Sequence, residues 1–277
     1  MKKKNVELKQ VEVSAERQTK KTEVKIAVES VTPQEIKSLP SLGAEGDLVQ
    51  YMQVVPGVVS SGDQGGQLYI RGGTPVQNKV LLDGMVIYNP FHSIGLFSVF
   101  DTDILKNTDV YTAGFGAQYG GRISSILDIT GKEANKEKFT GSAGIGLVTS
   151  KLNLEIPIIK DRTSVLLSGR TTYSDWIMKQ LPEKSGYKNG TAGFYDLAAI
   201  VAHKFNDKHS LNVYGYYSHD RFAFNSNEKY GYNNLNASAR WRAVFNEKLI
   251  GYFSAGYDHY DYNNRETVNA SAAYKLS

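Results

Sequence analysis

Leu235-Asn236-Ala237-Ser238-Ala239-Arg240-Trp241-Arg242-Ala243-Val244-Phe245-Asn246 alternates apolar and polar side chains with one exception, Val244. Side chains of a strand point to opposite faces with period two, so this stretch reads as a strand with one oily and one charged face. The pattern recurs at Leu249, Gly251, Phe253, Ala255 and Tyr257, set against Lys248, Ser254 and Asp258, and again at Val268, Ala270, Ala272, Tyr274 and Leu276. Repeated strands of this kind need either a sheet packed on a core or a lipid-facing barrel wall around a wet interior.

The same alternation spaces out about eight strands, at 139–148, 151–158, 163–173, 196–205, 210–218, 235–246, 248–260 and 267–277. Connections at 159–162, 206–208 and 246–247 are tight and polar, whereas those at 174–195 and 219–234 are long and rich in Gly, Asn, Ser and Tyr. Short turns at one end and long loops at the other suit an outer-membrane barrel, whose short side is periplasmic. The connection at 149–150 departs from this rule, being short where a long one is expected.

Composition agrees with a β-barrel. No stretch approaches the ~18 consecutive apolar residues of a membrane-spanning helix, which leaves strands as the spanning element. Of the 18 tyrosines, 13 follow residue 138, as do Trp176 and Trp241, and aromatic girdles at membrane interfaces would use them. Tyrosine is also common in exposed sheets, so this alone does not decide. There are no cysteines, hence no disulfide framework and no thiolate site. Lys2, Lys3 and Lys4 are followed by Glu7, Glu12, Glu16 and Glu23, so the start is neither a signal peptide nor a basic nucleic-acid arm.

Upstream of the strands the pattern changes. Residues 1–31 are polar, without a helical stripe, and read as a flexible tether; within it Val11-Glu12-Val13-Ser14-Ala15 alternates and suits pairing with another strand's edge, or an ordinary edge strand. Order begins at Thr32-Pro33-Gln34-Glu35, an N-cap, a proline at the first helical position and a capping-box glutamate, predicting a helix to Leu39. A second helix is expected over 46–55 from the spacing of Leu48, Tyr51, Met52 and Val55, with Pro56-Gly57 stopping it. Short strands follow at 67–71, 79–82, 85–88, 109–112 and 126–130, and Asp83-Gly84 between two apolar runs predicts a type I′ hairpin. Residues 32–131 thus form a glycine-rich mixed α/β domain, joined by the charged linker 132–138 to the strands of 132–277.

Catalytic constellations are absent. Gly131-Lys132 is followed by Glu133 rather than Ser or Thr, which excludes a phosphate loop. His92, His203, His209, His219 and His259 have no metal-binding spacing, and Asp101 with Asp103 lacks the other ligands of a calcium loop and reads as helix capping. Ser124-Ser125 has no nucleophile elbow. The chain reads as non-enzymatic, with no cofactor, no metal and no nucleic-acid partner.

Three stretches resemble one family. Pro56-Gly57-Val58 with Tyr69-Ile70-Arg71-Gly72-Gly73, then Val80-Leu81-Leu82-Asp83-Gly84-Met85-Val86-Ile87, then Ala113-Gly114-Phe115-Gly116-Ala117-Gln118-Tyr119-Gly120-Gly121-Arg122 leading into Ile126-Leu127-Asp128-Ile129, are similar to the plug domain of TonB-dependent outer-membrane receptors in order and spacing. The implied fold is an α+β plug domain followed by antiparallel transmembrane β-barrel strands, about eight of them, an incomplete barrel. Val11, Glu12, Val13, Ser14 and Ala15 resemble the TonB box, which in that family pairs with the energy-transducing protein.

The resemblance implies TonB-energised uptake of a scarce ligand across the outer membrane of a Gram-negative bacterium, the plug gating the barrel. Ligand would meet the plug apices at Asp63, Gln64, Thr74, Gln77, Tyr88, Asn89, Phe91 and His92. Tyr88, Phe91 and His92 could equally pack against the barrel wall. Arg71 beside Gly72 could pair with wall carboxylates or within its own domain. Asp83 and Gly84, with Tyr119, Gly120, Gly121 and Arg122, are expected to be structural. Implied partners are the transducer, outer-membrane lipid, a ligand that could be a metal chelate, another small molecule, an oligosaccharide or a peptide, and a surface lipoprotein in some members.

Two features depart from the family: no signal peptide, and about eight strands. A barrel of about 8 strands is filled by its own side chains, while plugged transporters have about 22. A 100-residue domain with a radius of gyration of ~13 Å cannot enter the smaller one. The chain is therefore expected to be a fragment whose wall is curved but open, with Arg240 and Arg242 facing the plug. The other reading of the same pattern is a secreted or surface β-rich binding protein whose strands form a soluble sandwich.

Overall fold

The computed structural model describes residues 28–39, 46–61, 67–92, 95, 97–180, 182, 190–223 and 228–266. The expected strand at 267–277, the Val11–Ala15 segment and the apical Asp63 and Gln64 lie outside these.

Part of the stretch read as a tether is ordered. Strand β1 (Val28–Val31) pairs antiparallel with β8 (Leu105–Tyr111), Val28 opposite Tyr111 and Val31 opposite Thr108. Helix α1 (Pro33–Ser38) starts as its sequence dictates: the Thr32 hydroxyl accepts from Glu35 N, and the Glu35 carboxylate accepts from Thr32 N at 2.7 Å. Helix α2 (Leu48–Met52) is shorter than the apolar spacing suggests: the Asp47 carboxylate caps its start by accepting from Val49 N at 2.8 Å and Gln50 N at 3.1 Å, and past Met52 the chain tightens, Val54 N donating to Tyr51 O at 3.0 Å and Val55 N to Met52 O at 3.2 Å.

Strands β2 (Val58–Ser61) and β3 (Gln67–Ile70) pair, as do β6 (Phe91–His92) and β7 (Phe97–Ser98). Strands β4 (Asn78–Leu82) and β5 (Met85–Val86) form the expected hairpin, with Asp83 at φ 49° and Gly84 at φ 87°, the positive values a type I′ turn requires. With β9 (Ser125–Gly131) they complete a five-stranded sheet in the order β1-β8-β9-β4-β5, antiparallel except between β4 and β9. Its core holds Ile36, Leu48, Met52, Ile70, Leu82 and Ile129, all fully or nearly fully buried.

The second half is one antiparallel sheet in chain order: β10 (Thr140–Ile145), β11 (Thr149–Ile159), β12 (Thr163–Thr172), β13 (Thr191–Lys204), β14 (His209–Ala223), β15 (Glu228–Asn246) and β16 (Leu249–Glu266). Its turns at 160–162, 205–208 and 247–248 match the expected short side. The other side differs from expectation: β14 and β15 extend through most of 219–234, leaving only 224–227 between them, and 173–190 is the long connection, carrying helix α3 (Asp175–Gln180). Among the described residues β10 and β16 do not pair with each other, so the sheet is open. The linker from β9 enters at the short-turn end, where Asp161 N donates to Lys136 O at 3.0 Å.

Exposure decides between sandwich and wall. On β15, Leu235 is 42% exposed while its neighbour Asn236 is 3%; on β13, Leu197 is 53% exposed while Ala198 is 7%. The oily face points outward and the polar face is covered by the plug, the reverse of a water-soluble sandwich and the arrangement of a barrel wall in lipid.

Candidate functional site

The site is the seam between the plug and the inner face of the wall. Its central segment is 87–99. Ile87 N donates to Val80 O at 2.9 Å, ending the hairpin, and the Asn89 side chain accepts from Phe91 N at 3.2 Å, folding the chain into β6. Val99 N donates to Pro90 O at 3.1 Å and closes the excursion.

This fold delivers His92, fully buried, into the wall. Its Nδ1 lies 2.6 Å from Asp220 Oδ2 on β14 and its Nε2 lies 3.0 Å from Asp196 Oδ2 on β13. The ring stacks on Phe194, with centroids 4.0 Å apart. Arg170 on β12 donates to Asp196 Oδ2 from Nε at 3.0 Å and Nη2 at 2.6 Å, and Nη2 also donates to Ser98 O at 2.7 Å. Its guanidinium lies 5.1 Å from the centre of the Phe194 ring. Burial disfavours charge on His92, but the Asp220 carboxylate and hydrogen bonds to Asp196 and Asp220 outweigh it and raise the imidazole above the ordinary histidine range.

Two further clusters join plug to wall. Asp101 caps a single 3-10 turn at Thr102–Ile104, accepting from Asp103 N at 2.9 Å, the capping role its sequence suggests. Both carboxylates also face the wall: Lys151 Nζ on β11 is 2.9 Å from Asp103 Oδ2 and 3.5 Å from Asp101 Oδ1, and Asn153 donates to Asp101 Oδ2 at 3.0 Å. Lys37 of α1 pairs with Asp103 from the plug side. Partial burial opposes ionisation of Asp103, but these two lysines prevail and hold its pKa at about 2. In the third cluster Asp83 accepts from Gly131 N at 3.3 Å and lies 3.9 Å from Arg240 Nη1. There desolvation wins over Arg240 and the carboxyl is raised.

The remaining residues singled out in the sequence divide in two. Tyr88, Asn89 and Phe91 line a cleft of about 580 Å³ with Lys79, Arg122 and Tyr260, and Tyr88 is exposed. Thr74 is exposed beside this cleft, its N–H donating to Gln77 Oε1 at 3.0 Å. His92 leaves the ligand-facing set: it is sealed in the seam with both ring nitrogens engaged, so it packs on the wall.

Arg71 makes no ion pair with the wall among the described residues. It sits at φ 48° on the corner after β3, where Gly73 N donates to Ile70 O, its own N–H donates to Gly57 O at 2.8 Å, and its side chain is exposed. Gly72 and Gly121 take positive φ, Lys79 Nζ donates to Gly120 O at 2.9 Å, Arg122 donates to Gly121 O, and Tyr119 donates to Asp128 at 2.7 Å. These contacts fix the glycine loop before β9.

Sequence reasoning missed Arg170, Asp196, Asp220 and Lys151. The signal was available in part: each is a charge on the inward register of an alternating strand, where nothing oily needs covering unless a partner fills the interior.

Residues 20–125 match the sequence profile of the TonB-dependent receptor plug domain. No curated protein matches the chain by sequence. Among solved structures, the siderophore receptor PirA from Pseudomonas aeruginosa is 17% identical with a TM-score of 0.63, the match covering 86% of this chain and 41% of that one. The outer membrane transporter YddB from Escherichia coli is 14% identical with a TM-score of 0.64, covering 87% and 40%. The alcaligin outer membrane receptor FauA from Bordetella pertussis is 16% identical with a TM-score of 0.65, covering 88% and 40%. The chain thus spans about two fifths of the length of these structures. It carries a TonB-dependent receptor plug domain, and its fold is that of such a plug together with the barrel strands that follow it.

Proposed function

We propose that the chain is the gating part of an outer-membrane receptor for TonB-energised uptake of a scarce ligand. The observation that carries this reading is the inverted wall: oily side chains face out, while Arg170, Asp196 and Asp220 are buried against the plug. The ion pairs of the seam suit a plug that must move, because charges released from it can be hydrated, while the apolar contacts of Leu166, Ala198 and Ile200 with the plug core oppose release.

In this reading the ligand meets Tyr88, Asn89 and Phe91, with Thr74 and Gln77 beside them; Asp63 and Gln64, expected from the sequence as further ligand contacts, lie outside the described residues. Val11–Ala15 pairs with the transducer. Residues 1–27 act as the tether, and tension on it reaches β1 first, whose four-residue pairing with β8 lies at one edge of the plug sheet. The plug extends from Val28 to about residue 131 and the wall from about 132 onward, in the outer membrane of a Gram-negative bacterium. A metal chelate is the first ligand class to test, since the matched structures include siderophore and alcaligin receptors.

The test is uptake of radiolabelled ferric chelates by cells expressing the protein with Val11–Ala15 deleted. Surface binding should persist while accumulation is lost; undiminished accumulation would overturn the assignment of the coupling segment.

A further inference from the structure

We propose that His92 is the positioning residue of the apical loop: carrying protons on both ring nitrogens, it clamps residues 88–92 to the wall between Asp196 and Asp220, and loss of one proton frees the loop.

The argument is a count of donors. Asp196 and Asp220 are acceptors when ionised, and a neutral imidazole has one N–H to offer. Both ring nitrogens lie within hydrogen-bond distance of a carboxylate, at 2.6 and 3.0 Å. The arrangement is therefore satisfied only while the His92–Asp pair holds the second proton. With it, each carboxylate oxygen facing the ring receives an N–H. Without it, a ring lone pair faces a carboxylate oxygen at hydrogen-bond distance inside a buried site, a repulsive contact that water does not relieve.

Among the described residues, the titratable and charged groups around the imidazole come from both wall and plug. From the wall, β12 presents Arg170, already committed to Asp196 and Ser98 O. Strand β13 presents Asp196 and the Phe194 ring, and β14 presents Asp220 and Tyr216, whose hydroxyl donates to Val99 O at 3.1 Å. Tyr232 on β15 and Tyr260 on β16 lie near Asp220. From the plug, Asp47 of α2 accepts from Ser98 N at 2.7 Å, and Asp101 follows β7. Imidazole is the side chain that ordinarily titrates between carboxylic acids and phenols, and His92 is the imidazole in contact with both aspartates. His219, also on β14, bonds Asn233 outside the cluster.

The loop that His92 holds contains Tyr88, Asn89 and Phe91. The clamp itself needs only the seam; that the clamped loop receives ligand rests on the transport reading. Raised basicity sets the direction: the clamp is closed below the shifted histidine value and opens as pH rises through it.

The chain has no cysteine, so Tyr88→Cys supplies a unique thiol within it for a nitroxide label, read in detergent-solubilised receptor without ligand or energy source from pH 6 to 9.5. The immobile fraction of the label should fall at least twofold across this range and be flat when His92→Gln is added. A flat profile in the parent, or an unchanged titration with His92→Gln, would overturn the clamp. Should that variant not fold, Asp220→Asn decides: removing the carboxylate should lower the midpoint by at least one pH unit, and an unmoved midpoint would overturn the proposal. Failure here leaves TonB-dependent uptake untouched, whereas failure of the Val11–Ala15 deletion leaves this titration untouched.

Discussion

In β9 of the plug, Ile126, Leu127 and Ile129 are buried on both sides of the strand; in β13 of the wall, Asp196, Ala198 and Ala202 are buried while Tyr195, Leu197 and Val201 face out. Both strands are rich in apolar residues, yet the two sheets use them in opposite senses. The plug sheet closes its oil inside, between its strands, its two helices and five wall residues, Leu166, Ala198, Ile200, Tyr214 and Tyr216, that join its core. The wall turns most of its oil outward, and its inner face mixes those five residues with buried polar and charged ones such as Asn153, Arg170, Asp196 and Asp220. The difference follows from the surroundings each sheet meets: a domain in water hides apolar area, a wall in lipid displays it. The seam between them is where charge becomes affordable: His92 of the plug meets Asp196 and Asp220 of the wall, Lys151 of the wall meets Asp101 and Asp103 of the plug, and Arg170 joins Asp196 to Ser98 O.

The largest expected break of this contrast is Arg170→Ala. It leaves Asp196 buried with His92 as its remaining cation, and stranding one member of a buried ion pair costs about 3–5 kcal/mol. Protease sensitivity of the plug in detergent-solubilised receptor should rise sharply, with the wall sheet still formed by circular dichroism. Leu197→Arg attacks the other face. A cation on the lipid side of a barrel strand costs about 2–4 kcal/mol near the bilayer midplane and less toward the interfaces, so refolding into vesicles should become less favourable while refolding in detergent changes little.

The smallest expected effect is acid sensitivity at the second cluster. Asp103 is held at about 2 by Lys37 and Lys151, well below the ordinary carboxylate value, so its contribution to docking is complete above about pH 4 and is lost as pH falls through about 2. Asp103→Asn should flatten that part of the acid profile of plug release, measured by chemical denaturation.

Legibility in the sequence followed locality. The capping box at Thr32–Glu35 and the turn at Asp83-Gly84 depend on residues two or three positions apart, and both are found where the sequence places them. The wall strands were legible only where lipid imposes alternation. Strands β13 and β15 begin well before the clean pattern, at Thr191 and Glu228, because their first residues run past the apolar belt, and there outward polar residues erase the contrast. Strand β1 was hidden because Val28–Val31 alternates too briefly to signal by itself and becomes a strand through its partner β8. The His92 cluster was the least legible part. Its partners Asp196 and Asp220 lie 104 and 128 positions downstream, and only the register of β13 against β14 brings them together.

The most direct test of the central claim is a nitroxide scan with single cysteines from Leu235 to Trp241 in receptor reconstituted into bilayers, reading collision with membrane-dissolved oxygen. The account predicts a period of two, with high accessibility at Leu235, Ala237 and Trp241 and low accessibility at Asn236 and Ser238. Accessibility without that period, or with its maxima at Asn236 and Ser238, would contradict a wall that turns its oil to lipid and its charge to the plug.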